Sequence, residues 1–130
     1  MSIPEFSDSI KYMEKSLNEK RYEKILELDE IIRDEVIKSS LKSFPVKLSE
    51  IYNALINSDA DEIARHAHAL KGAIGYFDAK YAYSLASELE MMARENRTGE
   101  SLPVFYKLKA SLEDMMEFFE SPDWEQRLKA

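Results

Sequence analysis

His66 and His68 are the chain's two histidines, and they stand two residues apart in the stretch ARHAHALKGAIGYF, residues 64–77. An ordinary imidazole has a pKa of ~6.5, so near neutral pH most rings are uncharged and keep one nitrogen with a free lone pair. Such a nitrogen can serve as a base, a metal ligand or a nucleophile. Spacing argues against the metal: at ~100° per residue, positions 66 and 68 of a helix point about 200° apart and cannot grip one ion together. No cysteine is present to complete a zinc set. No metal site is expected.

The two rings keep different company. Ala64, Arg65, Lys71, Gly72 and Gly75 share a helical face with His68, and all are small or basic. A glycine inside a helix costs ~1 kcal/mol against alanine, yet this face carries two. One reading is access: without side chains at 72 and 75, the His68 ring stands clear and another macromolecule can come close. The other is that both glycines permit a tight helix crossing. Periodicity does not choose between them. His66 lies across the core seam without a small-residue cleft and is expected to be structural.

A clear-standing neutral imidazole can accept a phosphoryl group, and a lysine one turn along would stabilise the negative product. Lys71 is that residue. The phosphoryl group must come from outside, because three glycines, two of them in this helix, leave no Gly-rich loop or Walker motif to cradle a nucleotide. Nor is there a nucleophile elbow or metal cluster to suggest a hydrolase.

The elements that position this face are helical. Apolar residues recur at three- and four-residue steps almost throughout, without sustained two-residue alternation, so the fold expected is all-α. A first helix follows Ile3, Phe6, Ile10, Met13 and Leu17 behind a Ser2–Glu5 capping pattern. A second runs from Leu28 through Leu55, with Pro45 expected to kink or split it. Asp59 with Glu62 caps a third, whose seam is Ile63, Ala67, Leu70, Ile74 and Phe77. Asp78 reads as the next N-cap, Ala82, Leu85, Leu89 and Met92 as the fourth helix's buried stripe, and Gly99 as its end. Ser101 and Pro103 open a fifth helix, and a short tail with Trp124 follows. Short connections favour antiparallel neighbours. The architecture expected is an antiparallel up-down four-helix bundle over residues 23–120, with an additional N-terminal helix over 1–22 packing on it and a tail over 121–130.

Composition bounds the rest. With 130 residues, 45% hydrophobic and 33% charged, the chain has one domain's worth of core. Eighteen basic against twenty-five acidic residues give a net charge of -7, which disfavours nucleic acid and anionic membrane. The absence of cysteine suits a reducing compartment, and no apolar run approaches the ~20 residues of a membrane span. A cytoplasmic monomer is the expectation.

At this point the residues carry a family likeness. AHALKG at 67–72, preceded by SDADEIAR and followed by AIGYFDAKYAYSLASELEMMAR, resembles the histidine phosphotransfer (HPt) domain of multistep phosphorelays, over roughly residues 24–120. The family motif is histidine, any residue, often leucine, then lysine and glycine, with an apolar-then-glycine step about ten residues on. Asp78 stands here in place of that last glycine.

The resemblance implies that His68 is the phosphoacceptor through Nε2, that Lys71 pairs with the phosphoryl group and that Gly72 keeps the face open. It implies docking of response-regulator receiver domains, or of a hybrid sensor histidine kinase, on a face made by Ala64, Arg65, Gly72, Gly75 and Tyr76. No cofactor or ATP site is implied in this chain, and Mg²⁺ would come with the partner receiver domain. Glu88 on the facing helix is the candidate for holding the second nitrogen of His68. The alternative is a helical binding module that docks a signalling partner without carrying phosphate.

Overall fold

The structure, a computed structural model, describes residues 22–130. The first-helix pattern at residues 3–17, with its Ser2–Glu5 cap, lies outside the described residues. Helix α1 spans Glu30–Ile56, α2 Ala60–Ile74, α3 Lys80–Arg94, α4 Leu102–Glu120 and α5 Trp124–Lys129, and among the described residues there is no strand. Helix α2 packs on α1 and α3, and α4 closes the ring against α3 and α1. With connections this short the neighbours run antiparallel. Phe44 and Ile51 from α1, Ile63 and Leu70 from α2, Leu89 from α3 and Leu108 from α4 meet at its centre, each at most 1% exposed. A 3₁₀ turn, Tyr22–Glu27, lies at one end of the bundle with Tyr22 and Ile25 buried. There the Tyr22 ring lies 5.5 Å from Phe118 and 5.4 Å from Phe119.

Local chemistry explains where the helices start and stop. Asp29 caps α1 through its carboxylate, which accepts the Ile31 amide at 3.0 Å, and Asp59 caps α2 by accepting the Glu62 amide at 3.2 Å. Pro45 does not split α1, which continues through it from Glu30 to Ile56. It stands on the exposed side of the helix, where water can serve the carbonyl that loses its donor, while Phe44 and Leu48 anchor the turns around it in the core.

Asp78 is not an N-cap. It adopts the left-handed conformation, φ 54° and ψ 32°, closing the 3₁₀ turn Gly75–Phe77, and the cap position of α3 falls to Ala79, which makes no side-chain cap bond. An aspartate tolerates this conformation better than most residues. Gly99 does not end α3 either. Asn96, φ 57°, ends it in a Schellman arrangement: the Asn96 amide bonds Ala93 O at 3.0 Å and the Arg97 amide bonds Met92 O at 2.8 Å. Ser58, φ 50°, closes α1 in the same way. Among the described residues all three left-handed positions are thus held by residues other than glycine, and none of the three glycines has a positive φ. Neither Gly72 in α2 nor Gly75 at its C-cap is therefore needed for a left-handed backbone.

Candidate functional site

The site forms where α2 and α3 face one another through small side chains. Ala64 and Ala67 on α2 and Ala86 and Ala93 on α3 are buried. Within this stripe of α3 sits Glu90, four residues after Ala86 and three before Ala93, itself 8% exposed. His68 stands outside the seam with 66% of its side chain exposed, and its Nδ1 reaches the Glu90 carboxylate at 3.2 and 3.3 Å. Glu88, the partner expected for that nitrogen, is exposed. Two residues along α3 it has turned away from α2 by about 200°, so Glu90 takes the role instead.

Glu90 collects three partners. Lys71 Nζ lies 3.0 Å from Oε1, and Arg94 donates to Oε2 from Nε at 3.0 Å and Nη2 at 2.7 Å. Burial alone pushes the Glu90 carboxyl up. Hydrogen bonds from Arg94, Lys71 and His68, with the charge of Lys71, outweigh it and hold the group down at about 2. An ionised carboxylate only accepts. The Nδ1 facing it must therefore carry the proton, and in the neutral form of the ring the lone pair then lies on Nε2. Among the described residues Nε2 has no partner.

The other expected site residues divide. Lys71 is near the imidazole but committed to Glu90, with its ammonium 5.8 Å from the Tyr83 ring centroid. Arg65 shares the face, yet its guanidinium binds Glu62 at 3.2 and 2.6 Å, a pairing that holds the Glu62 carboxyl below its usual range. Ala64, expected on the contact surface, is 6% exposed; it forms the floor of a hollow of about 310 Å³ beside His68, whose rim includes Asp61, Arg65, Arg94 and Asn96. Gly72, Gly75 and the exposed Tyr76 line a second hollow of about 300 Å³, together with Lys24, Glu27 and Leu28. A Cβ added at Gly72 or Gly75 would meet nothing within 4 Å among the described residues. No tight crossing between described helices therefore requires either glycine.

His66 lies on the opposite face, 7% exposed. Its Nδ1 is 2.8 Å from Glu50 on α1 and its Nε2 3.1 Å from Glu62, with Lys47 and Arg65 each at 3.5 Å from one nitrogen. Whichever nitrogen bears the proton finds an acceptor, and the other has a cationic donor near. The ring ties α1 to α2 and offers no free nitrogen.

Compared with known proteins, the chain matches the family model for the Hpt domain over residues 35–118. The chain belongs to the Hpt domain family. The match spans most of α1 and α4 and all of α2 and α3, so the whole four-helix ring around His68 is Hpt domain. No curated protein and no solved structure matches it. Membership of that family implies involvement in the histidine phosphotransfer of phosphorelays. No helix among the described residues of this Hpt domain is long and apolar enough to cross a membrane.

Arg94 and Glu90 are the site residues that sequence reasoning missed as a pair. The signal was present: an acid at position 90 falls on the buried apolar stripe of α3, with an arginine four residues on to neutralise it.

Proposed function

We propose that His68 is the phosphoryl-carrying residue of this Hpt domain, accepting the group from a receiver-domain aspartate or a histidine kinase and passing it to a receiver-domain aspartate. The observation that carries this reading is the ionised, buried Glu90 on Nδ1, which leaves Nε2 as an exposed nucleophile. In the transfer from an aspartyl phosphate, the Nε2 lone pair forms the N–P bond as the P–O bond breaks, and the aspartate leaves as a carboxylate. Nε2 holds no proton, so no general base is required. The ring becomes cationic, and the Glu90 carboxylate stabilises that charge through Nδ1–H. The step reverses without water.

Lys71 and Arg94 together outnumber Glu90 by one charge, which lets the site tolerate a phosphoryl dianion beside a carboxylate. Such transfer needs mainly positioning and countercharge, and a rigid helix supplies both. In this reading the chain is a carrier with no ATP site of its own, and the Mg²⁺ and the aspartate are the partner's. The docking face runs across both hollows, over Arg65, Gly72, Gly75 and Tyr76 with Ala64 beneath.

The test is labelling from a radioactive phosphoryl donor, a phosphorylated receiver domain. Wild type should take up acid-labile, base-stable label, and His68→Gln should take up none while keeping its helical content. Label that persists in His68→Gln overturns the assignment. A partner that binds wild type and His68→Gln equally, with no phosphohistidine in either, would mark a binding module instead.

A further inference from the structure

A hollow larger than the two on the His68 face opens on the other side of the bundle, between α1 and α4. It measures about 440 Å³, with Pro45, Leu48 and Tyr52 on one wall and Phe105, Tyr106 and Met116 on the other. Leu48 and Phe105 form a buried floor, while Tyr52 and Tyr106 are 39% and 50% exposed. Both rings lean on that of Phe105, at 5.8 and 5.6 Å between centroids. The two charged groups at this groove, Lys109 and Glu113, neutralise one another at 2.9 Å. An apolar surface can therefore cover the groove without stranding a charge, and burial of the exposed aromatic area favours one that does.

The chain itself holds a matching surface. Residues 1–21 lie outside the described structure. Projected on a helix at ~100° per residue, Ile3, Phe6, Ile10, Met13 and Leu17 fall within about 80° of one another, and Asp8, Lys11 and Lys15 fall on the opposite side. As a helix this stripe is about 21 Å long, against about 16 Å from Phe105 to Met116 along α4. Its point of attachment fits as well. Tyr22 packs on Phe118 and Phe119, and Phe119 lies with Met116 against Leu41 of α1 in the same seam. Five residue steps separate Leu17 from Tyr22 and span at most about 18 Å, enough to turn the chain from the end of the bundle into the groove.

We propose that the α1–α4 groove is the docking surface for residues 3–17 of the same chain, which fold back as an amphipathic helix and lay their apolar stripe over Leu48, Tyr52, Phe105 and Tyr106. The α1–α4 seam lies across the ring from the α2–α3 seam that carries His68. A segment held there leaves the imidazole and its hollow open to a visiting protein. The inference does not depend on phosphoryl transfer.

The experiment uses the full chain, where the absence of cysteine makes a single introduced one a unique attachment point. A nitroxide spin label on Ser9→Cys, beside the stripe, should broaden the amide NMR signals of Ser49, Tyr52, Tyr106 and Lys109 and spare those of His68, Gly72 and Tyr76. Adding Ile10→Asp places a charge in the stripe and should abolish the broadening, whereas Lys11→Asp, on the opposite side, should leave it unchanged. Broadening centred on Gly72, Gly75 and Tyr76 would overturn the proposal, as would the absence of broadening from both regions. A sample in which spin label and nitrogen-15 sit on different chains should show none. Broadening there as strong as within one chain would mean that the groove holds a second copy, and would overturn the proposal too.

Discussion

His66 and His68 are the same residue type on the same helix, two positions apart, and both contact carboxylates. The carboxylate therefore does not distinguish a carrier from a strut. What differs is the number of nitrogens left over. The helix turn sends His66 toward α1, where Glu50 and Glu62 occupy both nitrogens and the ring is 7% exposed. It sends His68 toward α3, where a single buried carboxylate takes Nδ1 and the rest of the ring faces outward. One histidine uses its ring to hold helices together, and the other keeps one nitrogen without a partner among the described residues.

The strongest way to break this contrast is to remove each ring in turn. Where His68→Gln loses phosphorylation and keeps stability, His66→Ala should do the reverse. It leaves Glu50 and Glu62 facing one another without the ring between them, and the unfolding free energy should fall by about 2 kcal/mol. The urea midpoint measures that, and folded His66→Ala should still take label from a phosphorylated receiver domain. Loss of labelling in a variant whose circular dichroism remains native would show that the two rings are not separable in this way.

A second probe sharpens the His68 side alone. The Glu90 carboxyl stands near 2 in the folded chain against an ordinary 4.5, so between these values the folded state binds fewer protons than the unfolded one. Its contribution is complete above pH 4.5 and fades as pH falls through about 2. A shift of this size is worth at most about 3.4 kcal/mol, and with the Arg94 partner largely in water about 1–2 kcal/mol is the reasonable expectation. The stability gap between wild type and Glu90→Leu, followed by urea unfolding, should shrink as the pH is lowered from 5 to 2. A gap that stays constant over that range would mean that Glu90 is not held ionised by its neighbours.

Features set by neighbours in sequence were legible before any coordinates. The Asp59 cap, the seam of α2 and the separation of the two imidazoles depend only on helical periodicity and a side chain reaching its own backbone. Features that depend on how one helix is rotated against another were not. Glu88 and Glu90 both lie on the facing helix, and only the packing of alanine against alanine between α2 and α3 decides which meets His68. Turn geometry misled for a different reason. Asp78 and Asn96 take up left-handed conformations that a reading based on glycine does not anticipate, so Gly99 does not end α3 and Asp78 is not an N-cap. Pro45 does not split α1, because the effect of a proline depends on which side of the helix faces water.

The finest probe addresses the glycines on the His68 face. In α2 a Cβ at position 72 has open space on every side among the described residues, so Gly72→Ala should pass without strain. It should raise stability by roughly 0.5–1 kcal/mol, because alanine loses less backbone entropy on entering a helix. Were Gly72 kept for packing, the same change would destabilise the fold. Were it kept for access, the gain in stability should come with slower phosphoryl exchange with a receiver domain, and Gly72→Leu should slow it further while the fold tolerates the longer side chain. A variant more stable than wild type and equally fast in exchange would leave the glycine without either role, and the docking face would then have to be drawn around His68 on the Arg94 side alone.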